Sequence, residues 1–248
     1  MTLDGRRALV TGGGAGLGAD LARGLAAAGA EVVVVGRHRE PLDEIAARHA
    51  RITAVVADVT VEDDVVRAFD EAGPVDIVVA NAGGAESAPL TRTTLGLWER
   101  MIAVNLTGAF LTLRDGLRQM EGRDWGRLIT VASTSGLKGY AYVSAYTAAK
   151  HGAVGLTRAV AQEVARTGIT ANALCPGYLD TEMTDRTIDN IVETTGRNRD
   201  EALRAITRSN PQGRLIQPAE VTAAALWLCG PGSESINGQA IAIAGGEL

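Results

Sequence analysis

Cysteine is scarce in this chain. The two present, Cys175 and Cys229, lie among apolar neighbours and belong to no CxxC or Cys/His spacing. That pattern offers no metal site and reads as two buried free thiols, as a reducing cytoplasm allows. Positive charge is not in excess either. Lys and Arg number 24 against 29 Asp and Glu, a net charge of −5, which leaves no nucleic-acid footprint. No apolar run approaches the ~18 residues of a membrane-spanning helix. The opening MTLDGRRALVTGG lacks the charged-then-apolar order of a secretory leader, so a cytoplasmic location is expected. No Pro/Ser-rich linker, charge run, internal repeat or low-complexity tract divides the 248 residues, and a single domain spanning 1–248 is expected.

What is present is alternation. β-branched runs recur at Arg7–Val10, Glu31–Val35, Ile52–Val56, Val75–Ala80, Leu128–Val131, Thr170–Leu174 and Ala240–Ala244. The second is continuously apolar from Val32 to Val35, as befits a strand covered on both faces. Between the runs lie Ala- and Leu-rich stretches of helical period, such as Val61, Val65, Ala68, Phe69 and Ala72. Strand–helix alternation of this kind implies parallel strands and right-handed crossovers. The expected fold is a doubly wound α/β sheet of about seven strands with helices on both faces.

The segment TGGGAGLG, Thr11–Gly18, follows the first strand and opens the first helix. Gly12, Gly16 and Gly18 form G-x-x-x-G-x-G, and Gly14, Gly16 and Ala19 also satisfy G-x-G-x-x-A. Around Leu17 these glycines let backbone N–H groups approach a pyrophosphate at a helix N-terminus. No G-K-[ST] follows, which separates the turn from a Walker-type loop. The second strand ends at Val35-Gly36-Arg37-His38-Arg39 without the acid that usually binds the adenosine ribose in an NAD site. Arg37 is placed to pair with a 2′-phosphate, so NADP(H) is the preferred cofactor, with NAD(H) possible. Asp58 and Val59 end the third strand, where a carboxylate can accept from an adenine amino group. Asn81, Ala82 and Gly83 end the fourth, with small residues for close passage of a cofactor and an Asn able to tie strands together.

Tyr146 and Lys150 stand at i, i+4 in YTAAK, with Ser133 upstream. On a helix both side chains share one face. A phenol is a poor acid–base group near neutrality, and a neighbouring cation lowers its pKa. With a serine hydroxyl to bond a carbonyl oxygen, the three suit proton delivery in ketone reduction or alcohol oxidation. His151 faces another side of the helix and is expected to be structural.

Together these segments resemble the short-chain dehydrogenase/reductase family, especially its 3-oxoacyl-thioester reductases and ketoreductases. The resemblance also draws on Asn105 in VNL, Pro176-Gly177 with Thr181, and the closing GQAIAIAGG, Gly238–Gly246. It covers nearly the whole chain. It implies a catalytic tetrad of Asn105, Ser133, Tyr146 and Lys150. Tyr146 would supply the proton, and Lys150 would lower the tyrosine pKa and bind the nicotinamide ribose. Asn105 would position a water linking Lys150 to solvent, and Pro176, Gly177 and Thr181 would cap the nicotinamide end. It further implies a substrate lid at about 182–210 and a homotetramer, with a dimer second, assembled through helices at roughly Thr94–Leu117 and Tyr146–Arg166.

The lid reads as partly helical, with Ile188, Ile191 and Val192, then Ala202, Leu203 and Ile206 on its apolar side. Its arginines (Arg186, Arg197, Arg199, Arg204, Arg208) alternate with acids, which favours a solvated face over a phosphate-binding one. Ser133, Gly139, Tyr140, Tyr142, Val143, Tyr178, Leu179 and Met183 are the expected pocket wall. It is apolar with aromatic hydroxyls and suits a moderately bulky ketone. The reading is an NADPH-dependent reductase of a ketone, most plausibly a 3-oxoacyl thioester or related β-keto compound. The alternatives are an NAD(P)-dependent secondary-alcohol or hydroxyacyl-CoA dehydrogenase of catabolism, and a non-catalytic dinucleotide-binding sensor.

Overall fold

The computed structural model describes residues 2–248. Seven strands form one parallel sheet in the order β3-β2-β1-β4-β5-β6-β7. They are β1 Arg7–Thr11, β2 Glu31–Gly36, β3 Ile52–Val56, β4 Ile77–Ala80, β5 Gly126–Val131, β6 Ile169–Pro176 and β7 Ala240–Ile243. The crossovers carry α1 Gly16–Ala27, α2 Arg39–Ala47, α3 Glu62–Ala72, α4 Leu95–Ile102, α5 Gly108–Gln119, α6 Ser144–Glu163, α7 Glu182–Thr195, α8 Arg199–Thr207 and α9 Pro218–Cys229. The strand order reverses between β1 and β4. In such sheets that reversal opens a crevice beyond the strands' carboxyl ends.

The apolar runs explain the layering. Successive strand side chains point to opposite faces, so each run divides its residues between two cores. Ala8, Val10, Val32, Val34, Ile77 and Val79 join the core built with Leu21 and Leu25 of α1 and Val221, Ala225 and Leu228 of α9. Leu9, Val33, Val35, Val78 and Ala80 join the other, with Phe69 of α3, Leu113 of α5 and Val160 of α6. Each fully buried Val or Leu contributes about 1.5–3 kcal/mol by area burial alone. Cys175 and Cys229 are buried free thiols. Among the described residues no helix is long and apolar enough to cross a membrane.

Two departures from sequence expectation have physical causes. The stretch expected as one long helix over 94–117 is two, α4 and α5, joined by a π-helical turn at Ala103–Thr107. There the Asn105 side chain donates Nδ2 to the Met101 carbonyl at 3.0 Å, and the backbone ladder shifts register around it. β5 begins at Gly126, two residues before the apolar run, and so includes Arg127, which is only 2% exposed. Its guanidinium donates to the carbonyls of Leu228 (2.8 Å), Gly126 (2.8 Å) and Gly168 (3.1 Å), and stacks 4.4 Å from the Trp125 ring centroid. Burial lowers its pKa, and these carbonyl bonds make an otherwise costly cation tolerable.

The amino ends of β1 and β4 are joined through Asp76. Its carboxylate accepts from the Arg7 amide (2.9 Å), Arg6 Nη1 (3.2 Å) and Arg123 Nη1 (3.1 Å). Replacing Asp76 by Ala strands a part-buried amide and leaves two guanidinium groups uncompensated. The expected loss of stability is about 2 kcal/mol in a urea titration. A change under about 0.5 kcal/mol would mean that solvent replaces the carboxylate.

Candidate active site

The residues singled out from sequence collect along the carboxyl edge of the sheet. At the switch point, Thr11 ends β1 and Asn81 follows β4. Asn81 Nδ2 donates to the carbonyls of Thr11 (2.9 Å) and Gly12 (3.3 Å), while Thr11 Oγ1 accepts from the amides of Asn81 (3.0 Å) and Ala82 (3.1 Å). This lashing holds the glycine turn against the β4 loop. Gly12 has φ +65°, a left-handed backbone. A Cβ on Gly18 would collide with the Gly12 carbonyl oxygen, so a larger residue would push α1 off the turn. Ala15 caps α1 without a side-chain bond, and the first turn holds no acid. The N-terminal N–H groups of α1 therefore face outward as an anion cradle.

Arg37 follows β2, is exposed and has no ion-pair or hydrogen-bond partner among the described residues. Arg39 instead lies 3.7 Å from Asp43. Asp58 Oδ1 is engaged locally, accepting from the Thr60 amide (2.9 Å) and hydroxyl (2.7 Å). Val59 packs on Gly108 at the start of α5. Gly177, beyond β6, donates its amide to Ile243 of β7 at 3.0 Å. The Thr181 side chain approaches Gly16, where an added Cβ would meet it at 3.5 Å, so the cap reaches across to the glycine turn. These residues fit a dinucleotide: an anion cradle at one end, a free guanidinium beside it and a cap opposite.

The chemistry-bearing side chains meet between β4, β5 and α6. Lys150 is buried and donates Nζ to the Val131 carbonyl at 2.8 Å. Nζ stands 5.6 Å from the Tyr146 ring centroid, one helical turn away. A Cβ on Gly83 would lie 2.7 Å from Asn105 Oδ1 and 3.5 Å from Lys150 Nζ, so both side chains converge on Gly83. Asn105 is fixed by Oδ1 accepting from the Gly84 amide (3.2 Å) and Nδ2 donating to the Gly84 carbonyl (2.9 Å). Ser133 Oγ accepts from the Ser135 amide at 3.0 Å, which leaves its own proton to give. Burial pushes the Tyr146 phenol up to about 12, against the pull of a hydrogen bond with Ser133. Burial also draws the Lys150 ammonium down to about 8. The expectation that Lys150 lowers the tyrosine pKa is therefore corrected for this structure. Desolvation is the largest cause, the opposing pull comes from Ser133, and Lys150 Nζ is turned to the Val131 carbonyl.

His151 is exposed, and its Nδ1 lies 2.9 Å from the Thr147 carbonyl, away from the tyrosine. Gly139 has open space around it, Met183 and Tyr178 are exposed, and Tyr142 is 65% exposed at φ +69°. A non-glycine residue there is strained by about 1–3 kcal/mol. The Ala88 amide holds the Tyr142 carbonyl at 2.7 Å. Residues 182–210 fold as α7 and α8 around Ile188, Ala202 and Ile206. Arg199 is tied to Asp189 (2.6 Å) and Asp185, and Arg186 approaches Glu182 (3.9 Å), so part of the lid's positive charge is neutralised internally.

The model described as short chain dehydrogenase matches residues 6–191. The chain belongs to the short-chain dehydrogenase family. It is 37% identical over 245 residues to the 3-oxoacyl-[acyl-carrier-protein] reductase MabA of Mycobacterium avium, covering 97% of this chain and 89% of that protein. It is 38% identical over 245 residues to the D-beta-hydroxybutyrate dehydrogenase of Cupriavidus necator, covering 95% of each. A variant of the actinorhodin polyketide ketoreductase solved with NADPH superposes with a TM-score of 0.92 at 34% identity, over 98% of this chain and 97% of that one. The chain is thus an oxidoreductase of this family.

In this short-chain dehydrogenase the pocket wall is more polar than its sequence suggests. Lys138 Nζ pairs with Glu247 Oε1 at 3.0 Å, and Tyr140 donates to the same oxygen at 2.5 Å. Lys138 was visible in the loop after Ser133, but no short-range pattern links it to Glu247.

The lowered Lys150 pKa has a consequence for stability. Between about 8 and the ordinary 10.5 the unfolded chain keeps a proton that the native state has released. Stability therefore rises with pH across that window, and the buried charge is a cost below it. Compared with Lys150→Met, the wild type is expected to gain at most about 1 kcal/mol per pH unit between pH 8 and 10.5. Urea titrations of both proteins across this range check it. Parallel curves would indicate a well-solvated ammonium.

Proposed function

We propose that this short-chain dehydrogenase is an NADPH-dependent reductase of a ketone, with a 3-oxoacyl thioester or related β-keto compound as substrate. The observation that carries the reaction is the grouping of Ser133, Tyr146 and Lys150: the serine hydrogen-bonds the phenol, and Lys150 Nζ lies 5.6 Å from the tyrosine ring centroid. Arg37, unpaired where an NAD site would place an acid, carries the cofactor preference. The similarity to a carrier-protein reductase and to a ketoreductase solved with NADPH supports both.

The glycine turn, Arg37 and the Gly177–Thr181 cap would hold NADPH, which would supply the hydride for the carbonyl carbon. Ser133 donates its hydroxyl proton in a hydrogen bond to the carbonyl oxygen and holds that oxygen beside the phenol. Tyr146 transfers its own proton to that oxygen as general acid. Even near pKa 12 the phenol is far more acidic than the secondary alcohol it creates. Lys150, with Nζ one turn along the same helix face, offsets the phenolate left behind. Asn105 keeps the π turn and the Gly84 loop in register with that lysine.

Dehydrogenation of a hydroxy acid or hydroxyacyl-CoA is the second reading, favoured by the similarity to D-beta-hydroxybutyrate dehydrogenase. Leu95, Trp98 and Phe110, exposed on α4 and α5, support assembly through these helices, as a homotetramer.

Tyr146→Phe is expected to lower turnover of acetoacetyl-CoA by about 10²–10⁴-fold while NADPH still quenches or enhances fluorescence as in the wild type. Retained function in that variant would favour a dinucleotide sensor. Arg37→Ala is expected to weaken NADPH binding by about 10- to 100-fold and leave NADH unchanged. A wild-type preference for NADH would overturn the role given to Arg37 and favour the catabolic dehydrogenase.

A further inference from the structure

Glu247 lies beyond β7, after the left-handed Gly245 and Gly246 (φ +60° and +93°), and its amide donates to the Ala244 carbonyl at 3.2 Å across the turn. Its side chain is 2% exposed. Oε1 accepts from Tyr140 Oη at 2.5 Å and pairs with Lys138 Nζ at 3.0 Å, and Lys138 also reaches the Glu247 carbonyl at 3.4 Å. The Tyr140 hydroxyl in turn lies 2.8 Å from Thr134 Oγ1, the residue after Ser133. Oε2 stands 3.5 Å from where a Cβ on Gly177 would be. One carboxylate therefore ties the loop that carries Ser133 to the segment after β7, and the Gly177 amide, donating to the Ile243 carbonyl at 3.0 Å, links the end of β7 to the cap that follows β6.

We propose that Glu247 is a positioning residue for carbonyl reduction: it clamps the Ser133 loop to the segment after β7, and through the Ile243–Gly177 bond to the cap, and so sets the width of the ketone end of the cleft. The proposal rests on the assignment of Ser133 and Tyr146 to the carbonyl. Elsewhere the loop is held by backbone bonds, the Leu137 and Lys138 amides on the Thr134 carbonyl and the Ala88 amide on the Tyr142 carbonyl. Gly139 meets nothing within 4 Å, and Tyr142 is strained and mostly exposed. Burial alone would raise the Glu247 pKa, but the bonds from Tyr140 and Lys138 outweigh it and keep the carboxyl below its usual range. Burial and the Glu247 carboxylate together push the Tyr140 phenol upward. The proton thus stays on Tyr140 and the charge on Glu247, so the clamp is permanent near neutrality. Removing only the carboxylate leaves Lys138 with the Glu247 carbonyl and Tyr140 with Thr134 Oγ1, so the loop loses its side-chain tie to the segment after β7 and moves more.

The test compares Glu247→Ala and Glu247→Gln with the wild type as NADPH-loaded full-length protein. In hydrogen exchange, amides of residues 137–142 in Glu247→Ala are expected to exchange about tenfold faster or more, with β1 and α1 unchanged. With acetoacetyl-CoA and with cyclohexanone as probes, kcat/KM is expected to fall about tenfold or more, mainly through KM, while NADPH affinity stays within about twofold. Glu247→Gln keeps an acceptor for Tyr140 and is expected to restore part of both losses. Unchanged exchange in the loop overturns the proposal whether or not either ketone is turned over. So does a loss that Glu247→Gln does not relieve and that tracks NADPH affinity and melting temperature. Tyr146→Phe is run alongside: if it retains turnover, the carbonyl-site reading itself fails, whereas its inactivity beside a wild-type-like Glu247→Ala sinks only the clamp.

Discussion

The lashing of Thr11 to Asn81 is the constraint on which the site depends. β1 and β4 are neighbours in the sheet but distant in sequence, and beyond them the chain leaves in opposite directions. Without a tie, the crevice between them would widen or close with each loop's motion. The Asn81 amide and the Thr11 hydroxyl supply four hydrogen bonds across that gap. They satisfy backbone groups that the ends of the strands leave unpaired. The Gly12 turn and the Gly83 loop are thereby fixed against each other. Asn105 and Lys150 are then aligned by the same loop, because both converge on Gly83.

The sheet and its layers were legible because continuous apolar runs leave few alternatives. A run such as Val32–Val35 is stable as a strand only when both faces are covered, and helices of matching period lie on either side in sequence. The turn glycines were legible for a related reason: Gly12 needs a left-handed backbone, and Gly18 sits where any side chain would strike the Gly12 carbonyl. Tyr146 and Lys150 could be paired because helix spacing alone places them on one face. The π turn could not be read. It depends on the Asn105 side chain capturing the Met101 carbonyl, a choice that ordinary helical periodicity does not register. Arg127 was missed because a charge in a central strand contradicts the pattern until its three carbonyl partners are in place. Glu247 was missed because its partners, Lys138 and Tyr140, lie more than a hundred residues earlier.

These omissions share a cause. Local propensity and hydrophobic period describe interactions among near neighbours. Buried polar groups are decided by partners that only the tertiary fold brings close, and one partner alone gives no sign of the other. Such groups are also those that set a site's shape, since an unpartnered buried charge is expensive and leaves little freedom in where its partner stands.

Desolvation then explains how the site is poised. Burial separately raises Tyr146 and lowers Lys150, so it works against each group's charged form before anything binds, while the phenol keeps its proton. That is the state required of a proton donor in the proposed reaction, where the phenol keeps its proton until an oxygen of rising basicity arrives beside Ser133. The ammonium near it is stabilised most when negative charge appears on the phenol, because the low-dielectric surroundings that penalise either ion alone strengthen their attraction. The stability lost by burying Lys150 is thus recovered at the moment of proton transfer and not before. A solvated lysine at the same distance would be more comfortable in the resting protein and would do less for the reaction, since water would screen it in both states.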